Sequence, residues 1–205
     1  MTADLEKSFT ATLKYDINRD PAGRSHLVST DFSYIVKSDR DGGTFGNSNP
    51  TLQNADHEYL CINTKARDAV TLYFRYDSKN EGYRIWVRTG SQKGRILART
   101  NSGYIFAHID YGLPHFWRLV QREIGGSWTP TTKVDYNKPE LILQVDDGSG
   151  YTNIGLFAKK TPEASEPDLW WSYIETGNQD SHWWLDDIKY GVDYEPSDVW
   201  GKGKA

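Results

Sequence analysis

From residue 69 to residue 88 the chain reads AVTLYFRYDSKNEGYRIWVR, with apolar and polar side chains alternating on both sides of a polar corner. Alternation at period two marks a strand with one buried face. In the first run Val70, Leu72, Phe74 and Tyr76 point one way, and Thr71, Tyr73 and Arg75 the other. In the second, Tyr83, Ile85 and Val87 oppose Arg84, Trp86 and Arg88. The corner DSKNEG fits an antiparallel hairpin. One face is then core, and the other lays Tyr73, Arg75, Arg84, Trp86 and Arg88 side by side on an open sheet. Tyr, Trp and Arg are also ordinary strand residues, and outward Arg stems often just cover apolar surface.

The same period recurs along the chain. SFTATLKYDI reads as a strand, followed by polar NRDPAGRS, and DFSYIV (31–36) as another short strand. Residues 37–56, rich in Gly, Asn, Asp and Ser, read as a long loop of the kind that tends to be functional or disordered. EYLCIN (58–63) is a strand, and 94–109 a second hairpin turning at Asn101-Ser102-Gly103. HIDYGLPH (108–115) is a loop, 116–124 a strand, and 125–139 a connection that would expose Trp128. Strands follow at 140–147, 153–160, 169–177 and 182–191, before a soft GKGKA tail. Short strands at this spacing, with no sustained helical period, predict an all-β fold, an antiparallel β-sandwich of jelly-roll type. A β-trefoil is the alternative, weakened by uneven offsets between its three candidate lobes. A single domain spanning 1–205 is expected, with 1–30 as an N-terminal arm and 192–205 as a C-terminal tail. The expected core is Val70, Leu72, Phe74, Ile85, Val87, Leu119, Leu141, Leu143, Leu156 and Leu185.

Composition sharpens this picture. Of 205 residues, 37% are hydrophobic and 14% aromatic, with eight Trp and 13 Tyr. That exceeds what a core needs, and aromatics with polar tips suit wet binding surfaces. The formal charge of −4 gives no global basic field, so nucleic acid is not an expected partner. The lone Cys61 excludes an intrachain disulfide framework and a Cys-rich zinc site; in YLCIN it reads as a small buried hydrophobe. No secretory signal peptide follows Met1 and no apolar run reaches membrane-spanning length, so no membrane insertion is expected.

Three segments carry a family resemblance: VTLYFRYDSKNEGYRIWVRTGSQKGRILAR (70–99), ELILQVDDGSGYTNIGLFAK (140–159) and WWLDDIKY (183–190). Together, over roughly residues 59–190, they resemble the β-sandwich jelly rolls of carbohydrate-binding modules, especially the galactose-binding-like type. Laminin-G lectin-like sandwiches share much of the pattern. The resemblance implies a non-catalytic β-sandwich that recognises a polysaccharide or glycoconjugate, placed outside the cell or on a particle surface. The same fold also builds structural and decoration subunits of large assemblies such as virions, so a homo-oligomer is possible.

A pyranose ring has a face of C–H groups that stacks on a flat aromatic, while its hydroxyls want planar polar partners. Trp86, with Arg84, Arg88, Tyr73 and Arg75, offers both, and Arg favours carboxylate- or sulfate-bearing glycans through bidentate contacts. The loop aromatics Phe45, Tyr111 and Trp128 form the competing locus. Asp146-Asp147 and Asp186-Asp187 are candidate ligands for a structural calcium, with a hydrogen-bonded turn and an alternating strand as the plainer reading. No cofactor is required. No paired carboxylates, serine elbow, phosphate loop or His-Glu metal motif marks an enzyme. A jelly-roll polysaccharide lyase using Tyr111 with His108 or His115 is the one catalytic alternative, and a polar loop with an aromatic plug is the plainer reading.

Overall fold

The structure, a computed structural model, describes residues 3–19, 25–32, 34–37, 50–53, 58–63, 69–109, 115–123, 126–135, 140–157, 171–177 and 182–192. A short helix, α1 (Ala3–Lys7), leads into the strands β1 (Phe9–Arg19), β2 (Ser25–Asp31), β3 (Tyr34–Lys37), β4 (Pro50–Gln53) and β5 (Cys61–Asn63). There follow β6 (Thr71–Asp77), β7 (Gly82–Val87), β8 (Ile96–Arg99), β9 (Ile105–His108), β10 (Trp117–Arg122) and β11 (Trp128–Thr131). The chain finishes with β12 (Glu140–Asp146), β13 (Tyr151–Leu156), β14 (Trp171–Thr176) and β15 (Trp183–Tyr190). The fold is all-β and antiparallel, as the alternation predicts. Among the described residues no helix is long and apolar enough to cross a membrane.

Thirteen strands form one sheet, and β3–β4 form a separate pair. The large sheet folds back on itself as a sandwich, and six of its strands close into a ring. β1 pairs with β6, β6 with β7, β7 with β10, β10 with β12, β12 with β15, and β15 returns to β1. Within that ring each strand is paired on both sides, which leaves it no exposed edge. The pairings show no three-fold repeat among the described residues, which sets the β-trefoil aside. Residues 9–19 are also no peripheral arm: β1 lies at the centre and pairs with β2, β6 and β15. Its alternation, Phe9, Ala11 and Leu13 inward against Thr10 and Thr12, is that of an interior strand. Part of the long loop expected over 37–56 is strand β4.

All ten residues expected in the core are buried. Phe9 stacks on Phe74, with ring centroids 4.6 Å apart and planes 8° from parallel, and Tyr83 meets both edge-on. Trp117 and Trp183 are wholly enclosed, and the Trp183 indole donates to the Ile154 carbonyl at 2.9 Å. Burial pushes the Tyr83 phenol well above its ordinary range, and its hydroxyl donates to the Thr132 carbonyl at 3.0 Å. Cys61 is buried, as expected.

The hairpin corner has its own chemistry. Asp77 accepts hydrogen bonds from the backbone N–H groups of Lys79 and Asn80 and from the Asn80 amide. Burial pushes its carboxyl up, but these bonds and nearby Arg84 outweigh that and hold it below the usual range. Glu81, at φ 50°, completes the turn in a conformation costly for most side chains.

Candidate functional site

The face of β6 and β7 expected to be open is covered at its two aromatics. Tyr73 is 3% exposed and Trp86 4%, and with Ile96 they form a second, small apolar cluster outside the main core. Period-two alternation does separate Trp86 from Ile85 and Val87, but Tyr73 and Trp86 are buried on the second face as well. Trp86 therefore has no ring face free for a sugar to stack on. Arg75 remains exposed, while Arg84 and Arg88 are half-buried, Arg88 with its guanidinium 6.0 Å from the Tyr73 ring centre.

The loop aromatics fare differently. Phe45 and Tyr111 lie outside the described residues. Trp128 is not in a loop: it begins β11, where it is half-buried with its ring edge-on to His182 at 5.3 Å. The reason is pairing, since Arg122 on β10 registers opposite Trp128 and draws the segment into the sheet. His182 in turn contacts the Glu140 carboxylate.

Three of the four paired aspartates hold neighbouring backbone, hydroxyl or ammonium groups. Asp146 accepts the N–H of Gly148 at 2.9 Å. Asp147 accepts the N–H and hydroxyl of Ser149 and the hydroxyl of Thr152, at 2.9, 2.6 and 3.1 Å. Those hydrogen bonds hold the Asp147 carboxyl down at about 2. Asp186 is ion-paired with Lys14 at 2.5 Å, and the hydrogen bond from that ammonium holds its carboxyl low. Asp187, at φ 53°, sits at a bulge where β15 gains a residue against β1. No group of three His, Cys, Asp or Glu able to hold a metal occurs among the described residues. His108 and His115 do not converge either: His108 packs edge-on against Phe106, whereas the His115 ring lies 3.3 Å from the Asp146 carbonyl.

An aromatic surface does appear, at a place sequence reasoning missed. Four segments lie side by side there: the 58–60 stretch, β9, β14 and the end of β13. Leu60 N–H donates to Ile105, Ala107 N–H to Glu58, Ile174 N–H to Leu60 and Phe157 N–H to Tyr173, at 2.7–3.1 Å. Along β9, Ile105 and Ala107 turn inward, leaving Tyr104, Phe106 and His108 on the outer face. On β14 Ile174 turns inward, and Tyr173 and Glu175 outward. Tyr59 bridges to Phe106, and Tyr104 to Glu175.

These outward rings touch one another. Tyr59, Tyr104 and Tyr173 form an edge-to-face triangle with centroids 5.7–5.9 Å apart. Phe157 joins at Tyr104, 5.3 Å away, and Phe106 at Tyr59, 6.2 Å away. All but Phe157 are half-buried; Phe157 is 47% exposed, and Ile109 near the end of β9 is 63% exposed. The polar border comprises Glu175, Thr176 and Arg99, whose Nε donates to the Thr176 hydroxyl at 3.3 Å. Gly103 shapes that border: at φ 98°, a Cβ there would stand 2.8 Å from the Thr176 hydroxyl. Burial raises the Glu175 carboxyl and the Tyr173 phenol above their ordinary values. The YIFAH alternation was legible in sequence as a strand, but its meeting with Tyr59 and Tyr173 is purely tertiary. Comparison of the chain with protein-family models, with curated proteins and with solved structures finds no match.

Proposed function

We propose that this protein is a non-catalytic carbohydrate-binding β-sandwich, acting outside the cell or on a particle surface, and that the Tyr59–Tyr104–Tyr173 platform is its glycan contact. The observation that carries the reading is a contiguous set of five aromatic rings on the outer face of a sheet whose inner face is already saturated with apolar side chains. A surface apolar patch of this kind marks interaction. Aromatic rings bordered by Glu175, Arg99 and Thr176 match a ligand that has C–H faces and hydroxyl edges. Tyr is suited to both because its ring is apolar and its tip is polar. The test is binding of polysaccharides by affinity electrophoresis to the intact chain and to Tyr104→Ala and Tyr173→Ala. Loss of retardation with an unchanged melting temperature supports the platform; unchanged retardation in both variants removes it.

The exposure of Phe157 and Ile109 favours a second reading, a subunit of a larger assembly that buries this same patch against a neighbour. Mass measurement decides between them. An oligomer that dissociates on Phe157→Ser replacement, with no glycan bound, would favour assembly.

A further inference from the structure

Strand β7 changes partner partway along one edge. At Trp86 it registers with Ile96 of β8, and at Tyr83 with Trp117 of β10, while β6 holds its other edge throughout. β8 and β10 therefore diverge, and Arg84 stands where the fork opens. Its guanidinium lies 5.2 Å from the Phe116 ring centre. Arg75 stands directly opposite across the β6–β7 ladder. On β10, Arg118 lies 3.8 Å from the Tyr151 ring centre. Gly82 joins the two stacks: a Cβ there would come within 3.1 Å of the Tyr151 hydroxyl and 3.3 Å of the Phe116 Cβ.

One feature of this fork is costly as it stands. The Arg84 Nε is buried and meets no hydrogen-bond partner among the described residues, and a buried donor on a cation without an acceptor is expensive. Of the acidic groups close by, Asp77 and Asp146 are engaged. The Asp77 carboxylate near Arg84 holds the hairpin corner, and Asp146, which with Glu81 influences Tyr151, holds Gly148. One oxyanion beside the Arg84 guanidinium would satisfy the Nε, since a planar fork binds carboxylate or sulfate bidentately.

We propose that Arg84, with Arg75 and Arg118 beside it, receives an oxyanion substituent, a sulfate or carboxylate, of the bound polysaccharide. This rests on the glycan reading above for the carrier, but on the fork alone for the anion. The experiment compares dextran, carboxymethyl dextran and dextran sulfate, which share one backbone, at several salt concentrations. Arg84→Gln is expected to weaken dextran sulfate binding about 10- to 100-fold, the range of a charge-assisted hydrogen bond to a buried group, and to leave dextran binding unchanged. Arg84→Lys, which keeps charge but loses the planar fork, is expected to fall between. Arg122→Gln, at the far end of β10, is the control for general attraction, and equal losses in Arg122→Gln and Arg84→Gln would overturn the proposal. A second readout is the Arg84 Nε–H resonance during titration with inorganic sulfate, which needs no glycan. If no polymer binds while that resonance shifts, the glycan reading fails and the oxyanion site stands. A resonance that does not move overturns the site.

Discussion

Truncating Phe74 to Ala tests the packing on which the whole sandwich depends. Phe74 is fully enclosed, stacks on Phe9 from the central strand and registers opposite Ile85. Removing a buried Phe ring costs about 3–5 kcal/mol, through lost transfer energy and a cavity that the neighbours fill only in part. The stacked pair should also carry a coupling of about 0.5–1.5 kcal/mol beyond area burial, which a cycle of Phe9→Ala, Phe74→Ala and the double variant isolates. Against a total stability of about 5–15 kcal/mol this is a large fraction. For a chain of this size each kcal/mol moves the melting temperature by about 2–4 °C, so a drop of about 6–20 °C is expected. Urea unfolding followed by tryptophan fluorescence gives the free energy, and near-ultraviolet circular dichroism reports whether native packing survives. A loss within about 0.5 kcal/mol, the range of surface substitutions, would refute the burial of this face. A normal loss for each single variant with zero coupling would refute the Phe9–Phe74 stack, and with it the central placement of β1.

Trp86→Ala is expected to lower stability by about 3–5 kcal/mol, because the ring is buried with Tyr73 and Ile96. An unchanged urea midpoint with lost glycan binding would instead restore Trp86 as a ligand contact. Asp147, whose carboxyl is lowered from 3.8 to about 2 in the folded state, stabilises the β12–β13 turn above about pH 3.8. That contribution is lost as pH falls through about 2, and a carbon-13 carboxyl titration with a midpoint near 3.8 would refute the hydrogen bonding of the turn. Lys14→Met should cost under about 1 kcal/mol, since its ion pair with Asp186 is solvent-exposed; a larger loss in urea unfolding would show a buried role. Chelation with EDTA is expected to leave the melting temperature unchanged because Asp146, Asp147 and Asp186 are engaged with backbone, hydroxyl and ammonium groups; a rise on adding calcium would contradict that.

The sequence by itself determined which side chains share a face. Alternation in 70–76 and 83–87 separates Leu72, Phe74, Ile85 and Val87 from Tyr73, Arg75, Arg84 and Trp86, and that division holds. It is local information, set by the two-residue period of a strand. Whether the second face meets water is not local. Trp86 and Tyr73 are dry, clustered with Ile96 from β8, and alternation reads the same whether a residue of the second face is covered or open. The N-terminal segment shows the same limit, since nothing in FTATLKYDI says that residues 71–74 and 183–190 will bracket it. Trp128 looked like a loop residue between Gly-rich and Pro-rich neighbours, yet pairing with β10 makes it a strand. The aromatic platform lay furthest from reach. Tyr59, Tyr104, Phe157 and Tyr173 are each unremarkable where they stand in the chain. They become one surface only because backbone hydrogen bonds draw together segments separated by up to about a hundred residues, and such long-range pairing is what the chain folds to obtain.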